Sequence, residues 1–447
     1  MKQIYKIKVQ GWVKVLPFYL FTLLPLNAQT RQWTLRQCTE HAISHNLSIK
    51  QKSNQCRKQE LQLSTAKNSR LPDLSGTVGE TFSFGRGLTM DNTYTNRSTS
   101  STSFGLGTSV PLFTGFRIPN NIKLNQLNLE AATQDLEKAK NDIRMQVAKA
   151  YVQILYDMEM ADVAVRQVEI DSMQVARLQT FLENGKASGA ELSQQKATHA
   201  QSQLTATQAH NNLQLSILAL TQLLELPTPE GFSIVRPIVP SDLTIPADPN
   251  QIYQESLLFK PEIKAEQIRL DATEKNIKIA QAALYPTLTL SGGLQTNYYK
   301  TGGIPSDGFS SQLKNNFSQY IGLNLNIPIF NRFSTRNSVR SANIDRENQQ
   351  LQLDNVKKTL YKEIQQVYYN AVAAQAKYQS SEAARQSSED AFTLTQAKYE
   401  NGKANITEFN EAKNRFLKAE SDLVQARYEY LYQNSLLDFY RGKELNF

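Results

Sequence analysis

Two regions of the chain alternate apolar and small polar residues with a strict period of two. Leu74, Val78, Phe82 and Phe84 fall on one side of an extended segment, and Ser75, Thr77, Gly79, Thr81, Ser83 and Gly85 on the other. A second segment sets Phe104, Leu106, Val110 and Leu112 against Gly105, Gly107 and Ser109. The pattern returns with Leu288, Leu290 and Leu294 against Thr287, Thr289, Ser291 and Gly293, then with Ile321, Leu323, Leu325, Ile327 and Ile329 against Gly322, Asn324 and Asn326. Successive strand side chains point to opposite faces, so these are four strands with one greasy face and one small or polar face. A soluble sandwich packs such a face on a core, while an outer-membrane barrel turns it to lipid. Periodicity leaves both open. Four strands cannot close a barrel with a usable lumen, so the membrane reading requires several chains to share one barrel. Glu80 falls on the greasy side and breaks the pattern; a place near the rim is expected for it. The stretches 86–103 and 299–316, rich in Ser, Thr, Asn and Gly, read as polar loops outside the cell.

Elsewhere the period is helical. Leu129, Ala132, Leu136, Ala139, Ile143, Val147, Ala150 and Ile154 form one seam, and Val356, Leu360, Ile364, Val367, Ala371, Ala374 and Tyr378 form another. Steps of three and four with recurring Ala indicate close coiled-coil packing with shifts of register. No proline lies between Pro119 and Pro227 or after Pro328, so very long helices are permitted. From Pro119 to the turn at Asn184 such a helix would run roughly 95 Å at 1.5 Å per residue, about three times the thickness of a bilayer core.

The chain repeats itself. Pro72 in Arg70-Leu-Pro-Asp-Leu74 has its counterpart at Pro286 in Leu284-Tyr-Pro-Thr-Leu288, 214 residues on. Pro111 in Pro111-Leu-Phe-Thr-Gly-Phe116 matches Pro328 in Pro328-Ile-Phe-Asn-Arg-Phe333, 217 residues on, and Glu183-Asn-Gly-Lys-Ala187 recurs identically as Glu400-Asn-Gly-Lys-Ala404 at the same spacing. Three landmarks in one order define an internal duplication. The expected division is helices over 29–70, a strand pair with its loop over 71–116 and a long helical hairpin over 117–226. A linker over 227–249, with six prolines, follows. Helices over 250–283, a strand pair over 284–330 and a second hairpin over 331–447 complete the plan.

Charge changes little. Of the formal +8, the lysines at 2, 6, 8 and 14 supply half, and the remainder does not suggest nucleic acid. Those lysines border an apolar run from Val15 to Leu26 ending at Asn27-Ala28, which reads as a signal peptide over 1–28 cleaved after Ala28. No later run is long enough for a membrane-spanning helix. Cys38 follows Arg36 and Gln37, where a lipid-attachment site has small residues, so no lipid anchor is expected. Cys38 and Cys56, if on one helix, stand about 27 Å apart, beyond disulfide reach.

The duplicated order, with a proline at the entry of one strand and the exit of the next and Asn-Gly at each far helical turn, resembles the TolC-like outer-membrane efflux family. Trp33-Thr34-Leu35 followed by Ala42 and Asn46-Leu47 adds to the likeness, as does Lys260-Pro261-Glu262 where the family has Arg-Pro-acidic. The likeness covers 29–447. It implies a mainly α chain with transmembrane β structure: a homotrimer with a twelve-stranded outer-membrane barrel, four strands per chain, continued by a long α-helical periplasmic coiled-coil tube. Such a tube is the exit duct of a tripartite efflux or type I secretion system, working with a periplasmic adaptor and an inner-membrane transporter and needing no cofactor. The resemblance places Glu408 and Glu411 at the constricted tip and Tyr399 in the network that closes it. Glu191 and Gln194 hold the corresponding first-half positions. The family's basic partner falls on Ala404, which leaves Lys403 as the nearest substitute. The turns at Asn184-Gly185 and Asn401-Gly402 would offer docking grooves to the adaptor.

On residues alone, Glu408 and Glu411 share a helix face, and a trimer would gather six carboxylates around its axis, favouring cations. The plainer alternative is that acids in a first helical turn complement its dipole. His41 and His45, one turn apart with Cys38 nearby, resemble a metal pair but lack an acidic partner or a second-half counterpart, so ordinary helix packing is expected. With four histidines in all and no phosphate loop or nucleophile elbow, enzymatic activity is not expected. The rival of another class is a periplasmic coiled-coil scaffold or adhesin without a pore, which has no use for four greasy strands.

Overall fold

A computed structural model of the chain describes residues 32–88, 92–237 and 247–445. The signal peptide expected over 1–28 and part of the linker expected over 227–249 fall outside the described residues. In chain order the elements are β1 (Gln32–Trp33), α1 (Leu35–His45), α2 (Leu47–Asn68), β2 (Asp73–Leu88), β3 (Tyr94–Thr114), α3 (Arg117–Glu183) and α4 (Gly189–Leu223). The second repeat follows as β4 (Ser233–Ile234), α5 (Pro249–Phe259), α6 (Pro261–Ala282), β5 (Thr287–Thr301), α7 (Phe309–Asn315), β6 (Ser318–Asn326), α8 (Ser334–Glu400) and α9 (Ile406–Tyr440).

The duplication holds to the residue in the helices. Helices α1 and α5 have 11 residues each, α2 and α6 have 22, α3 and α8 have 67, and α4 and α9 have 35. Local signals fix these bounds. Thr34 and Gln37 make a capping box at the start of α1, and Asn46 ends α1 and caps α2 through Ser48 N–H. Cys38 and Cys56 therefore sit on two helices rather than one; both are free thiols, and Cys38 is buried. Pro249 and Pro261 occupy first-turn positions, where a missing N–H costs nothing. At both strand-to-helix corners two successive residues take left-handed φ: Gly115 at 60° and Phe116 at 67°, Arg332 at 54° and Phe333 at 61°.

The four long strands form one antiparallel sheet in the order β2-β3-β5-β6. Its register brings Val78, Phe104 and Thr296 into one row, and Leu290 opposite Val110 and Leu323, so the apolar positions of all four strands share a face. The first polar segment, expected as a loop over 86–103, is largely strand: β2 and β3 stay paired up to Leu88 opposite Tyr94. Ser and Thr suit a solvated sheet face, which polarity alone does not distinguish from a loop. The second polar segment holds a short helix instead of a plain loop. Helix α7 covers the upper edge of β5, where Gln312 accepts from Tyr299 N–H (2.9 Å) and donates to Tyr299 C=O (3.0 Å), while Asn316 donates to Asn297 C=O (2.8 Å). Side-chain amides there take the place of strand β6, which begins only at Ser318. Strand β6 also ends at Asn326, short of the expected Ile327 and Ile329. Pro328 cannot donate to a ladder, and no strand lies beyond this edge among the described residues. Glu80 has a specific account: its carboxylate accepts hydrogen bonds from the hydroxyls of Ser100 (2.6 Å) and Thr102 on β3.

Two apolar cores lie where the short helices pack on the long ones. In the first, Leu35, Cys38 and Ala42 meet Val147, Tyr151 and Ile154 of α3 and Leu220 of α4. The Tyr151 hydroxyl donates to Val235 C=O (2.6 Å) next to the small β1–β4 ladder. In the second, Ile252 and Ile263 meet Leu353, Leu360, Ile364 and Val367 of α8 and Leu436 and Leu437 of α9. The seams expected on α3 and α8 are buried at Ile143, Val147, Ile154, Leu360, Ile364, Val367, Ala371 and Ala374; near the sheet the buried positions of α3 are Leu127 and Ala131 instead of Leu129 and Ala132. His41 stacks on His45 with ring centres 4.0 Å apart and meets the edge of Trp33 at 5.3 Å, a packing arrangement at the surface of the first core.

Candidate functional site: the paired helical tips and the exposed sheet

Each 67-residue helix extends roughly 100 Å at 1.5 Å per residue, with a sheet at one end and a tight turn at the other. Both turns have the same construction. Lys186 N–H bonds Phe181 C=O (2.7 Å) and Gly185 N–H bonds Leu182 C=O (3.0 Å); Lys403 and Gly402 repeat this on Lys398 (2.8 Å) and Tyr399 (3.1 Å). This pair of bonds requires a left-handed residue just past the helix, and Gly185 and Gly402 supply it, both at φ 69°. Asn184 and Asn401 add side-chain bonds to Thr180 C=O (2.8 Å) and Ala397 C=O (2.7 Å).

The return helices begin with acids that their caps use. Ser188 caps α4, and Glu191 closes the box by accepting from Ser188 N–H (2.8 Å). In α9 Asn405 accepts from Glu408 N–H (2.9 Å) and donates to its carboxylate (3.0 Å). Glu411 is exposed and sits 3.7 Å from Arg415 one turn on. Gln194 is exposed, and its backbone carbonyl accepts from the Thr198 hydroxyl (3.1 Å). Lys403 is exposed and forms no ion pair among the described residues.

Tyr399 is half-buried, its ring stacked on Phe409 at 5.0 Å, and Phe409 in turn meets Phe392 at 5.6 Å. Burial pushes the Tyr399 phenol above its ordinary range, with Arg177 opposing and Glu191 adding to the shift. Sequence reasoning missed Arg177. From α3 its guanidinium lies 5.2 Å from the centres of both the Phe181 and Tyr399 rings, and it donates to Glu400 C=O (3.3 Å). Also missed was a buried polar layer farther from the turn. Asp171 of α3 and Lys413 of α9, both fully buried, form an ion pair, and Gln195 of α4 donates to the same carboxylate oxygen (3.3 Å). The signal that could have found it was an acid and a lysine standing at core positions of helical seams.

The other end of the chain has the opposite problem, exposure of apolar surface. Phe84 is 81% exposed, Leu74 78% and Ile321 87%, on a sheet whose two edge strands, β2 and β6, each have one unpaired side. Water disfavours both features, whereas lipid and neighbouring strands satisfy them. Among the described residues no helix is long and apolar enough to cross a membrane. A lipid-facing sheet at the head of a long helical tube defines the class of outer-membrane ducts. The model of the outer membrane efflux protein family matches residues 39–225 and 252–442, one span per repeat, and the chain belongs to that family. It is an outer-membrane efflux channel with a large periplasmic portion, in a family of channels rather than enzymes.

Outer membrane efflux protein BepC of Brucella suis biovar 1 is 21% identical over 345 residues, 77% of this chain and 71% of that protein. Among solved structures, the CmeC outer membrane channel of Campylobacter jejuni superposes with a TM-score of 0.77 at 18% identity, covering 92% of this chain and 87% of that one. The outer membrane protein VceC of Vibrio cholerae gives 0.74 at 20% identity, covering 92% and 97%. The structural likenesses establish the tube-and-barrel fold; the family match carries the function.

Proposed function

We propose that three copies of this chain close a twelve-stranded barrel, β6 of one copy pairing with β2 of the next, above a tube of twelve helices. In this assembly the chain is the exit duct for an inner-membrane transporter, joined through a periplasmic adaptor that docks around the Asn184-Gly185 and Asn401-Gly402 turns. The observation that carries the reading is the sheet: its apolar face is exposed along all four strands and both edges are open, so one copy alone is incomplete. The rival scaffold reading leaves that face without a use.

At the tip, Glu408 and Glu411 act as a selectivity ring and Tyr399 belongs to the closing network, with Glu191, Gln194 and Lys403 around it. The local capping bonds of Glu191 and Glu408 support the plainer dipole role as well, and both roles can coexist in one carboxylate. The double change Glu408→Ala, Glu411→Ala should lower the cation preference of the purified channel in planar bilayers. Ion selectivity equal to that of the parent would remove these two residues from the proposed ring.

A further inference from the structure

We infer that Arg177 is a positioning residue of the closed tip: it clamps the end of α8 and the Tyr399 ring onto the first hairpin. The inference rests on the proposed role of the tip as the gate and names the residue that holds it.

Four contacts made by one side chain carry it. The guanidinium centre stands 5.2 Å from the Tyr399 ring centre and 5.2 Å from that of Phe181, within range for cation–π attraction to both. It donates to the backbone carbonyl of Glu400 (3.3 Å), and its other terminal nitrogen lies 3.6 Å from the Glu400 carboxylate. Glu400 is the last residue of α8, where carbonyls lack helical partners and the helix dipole is negative. A cation from a different helix is therefore fixed at the one point of α8 that most favours it. The Tyr399 ring is held between this cation and Phe409, so moving α8 away from α3 would break the ion pair, the carbonyl bond and the cation–π contact together. Lysine can supply charge here but not a planar donor fork beside two rings.

The other bases near the turns do not do this. Lys403 has no ion pair among the described residues, and Lys186 follows the opposite turn, engaged through its backbone N–H. The position of Arg177 in the other repeat is Leu394, which is 65% exposed, so the clamp exists once per chain and runs only from hairpin one to hairpin two. It is a one-sided latch, and three of them would close a trimer.

The test uses the full-length channel with Arg177→Ala, Arg177→Lys, Tyr399→Ala and the Arg177→Ala, Tyr399→Ala double variant. Two readouts are taken: amide hydrogen exchange over 396–404 and conductance in planar bilayers. Arg177→Ala should raise exchange in that segment and raise the open fraction about tenfold, as expected for losing one charged hydrogen bond and a stacked cation. Arg177→Lys should fall between, and the double variant should match the larger single effect instead of adding to it. Unchanged exchange in Arg177→Ala, with the protein still folded by circular dichroism, would overturn the clamp. Full rescue by lysine would overturn the part assigned to the fork. Raised exchange with unchanged conductance would support the clamp and strike down the gate reading beneath it.

Discussion

The two hairpins agree in length and in turn geometry, yet their tips are made of different material. Near the second turn Phe392, Tyr399, Phe409 and Phe416 form an aromatic stack; the matching positions of the first hairpin are Val175, Leu182, Leu192 and His199. Charge is divided in the same way. The first hairpin contributes Arg177 and Asp171 to contacts with the second, and the matching residues there are Leu394 and Ser388. Duplication thus preserves backbone geometry, which any sequence with the right caps and glycines can satisfy. The contacts between the two copies have diverged into unlike, complementary halves. Two identical surfaces could not make a cation-on-aromatic contact of this one-way kind.

The largest test of that division is the buried ion pair. Asp171 and Lys413 are both fully buried, and Asp171 Oδ2, Gln174 Oε1 and Gln195 Oε1 have no hydrogen-bond partner among the described residues. Changing Asp171→Leu alone leaves the Lys413 ammonium buried without its counter-charge, which should cost about 3 to 5 kcal/mol. The double change Asp171→Leu, Lys413→Met should recover most of that, because apolar residues of similar volume often replace a buried pair without loss. The repeat-related change Lys196→Met, at an exposed site, should stay within about 0.5 kcal/mol. Thermal unfolding of the purified channel followed by circular dichroism separates these outcomes; equal losses in the single and double variants would show that packing, not charge, joins the hairpins there.

A smaller effect is expected where the repeats share a backbone conformation but not a residue. Gly115 and Arg332 occupy the same left-handed position at the strand-to-helix corner. At Gly115 an added Cβ would run into Ala282 C=O and lie 2.8 Å from Tyr285 Cβ, so the backbone of the second repeat presses on this corner. Gly115→Ala meets both a disfavoured φ and a clash with backbone and should cost about 2 to 3 kcal/mol. Arg332 already bears a side chain at φ 54°, so Arg332→Gly should be neutral or stabilising by about 1 kcal/mol. Equal and opposite shifts in melting temperature at the two sites would mean that φ alone matters and that the close approach at Gly115 is irrelevant.

Much of this fold is legible in the amino-acid sequence. Strand faces, helix periodicity and the repeated Asn-Gly turns are local or periodic signals, and each residue carries its share of them. Three features stay hidden there because they depend on contacts between residues far apart in the chain. The continuation of β2 and β3 through the Ser/Thr stretch follows from their mutual pairing, and the helix over Phe309–Asn315 follows from an edge that needs covering. At the tip, Tyr399, Glu408 and Glu411 are placed by family resemblance, whereas Arg177 lies 222 residues from Tyr399 in sequence and belongs to no motif. Its contacts are created by packing, so neither composition nor spacing could announce them.

The finest comparison concerns the glycines at the two turns, and here the repeats should behave alike. Gly185 and Gly402 both sit at φ 69° with nothing within 4 Å of the place a methyl group would take, so substitution meets only backbone strain. Gly185→Ala and Gly402→Ala should each cost about 1 kcal/mol, the ordinary penalty for a left-handed alanine. Asn at either position should cost less, since its short side chain tolerates this region. Hydrogen exchange of the turn amides gives the local measure that a global melting curve would blur. If the second turn proves more sensitive than the first, the excess belongs to the Arg177 contacts, because Tyr399 C=O both accepts the Gly402 N–H and precedes the clamped carbonyl of Glu400. Equal sensitivity would confine the difference between the hairpins to side chains and leave their turns as interchangeable parts.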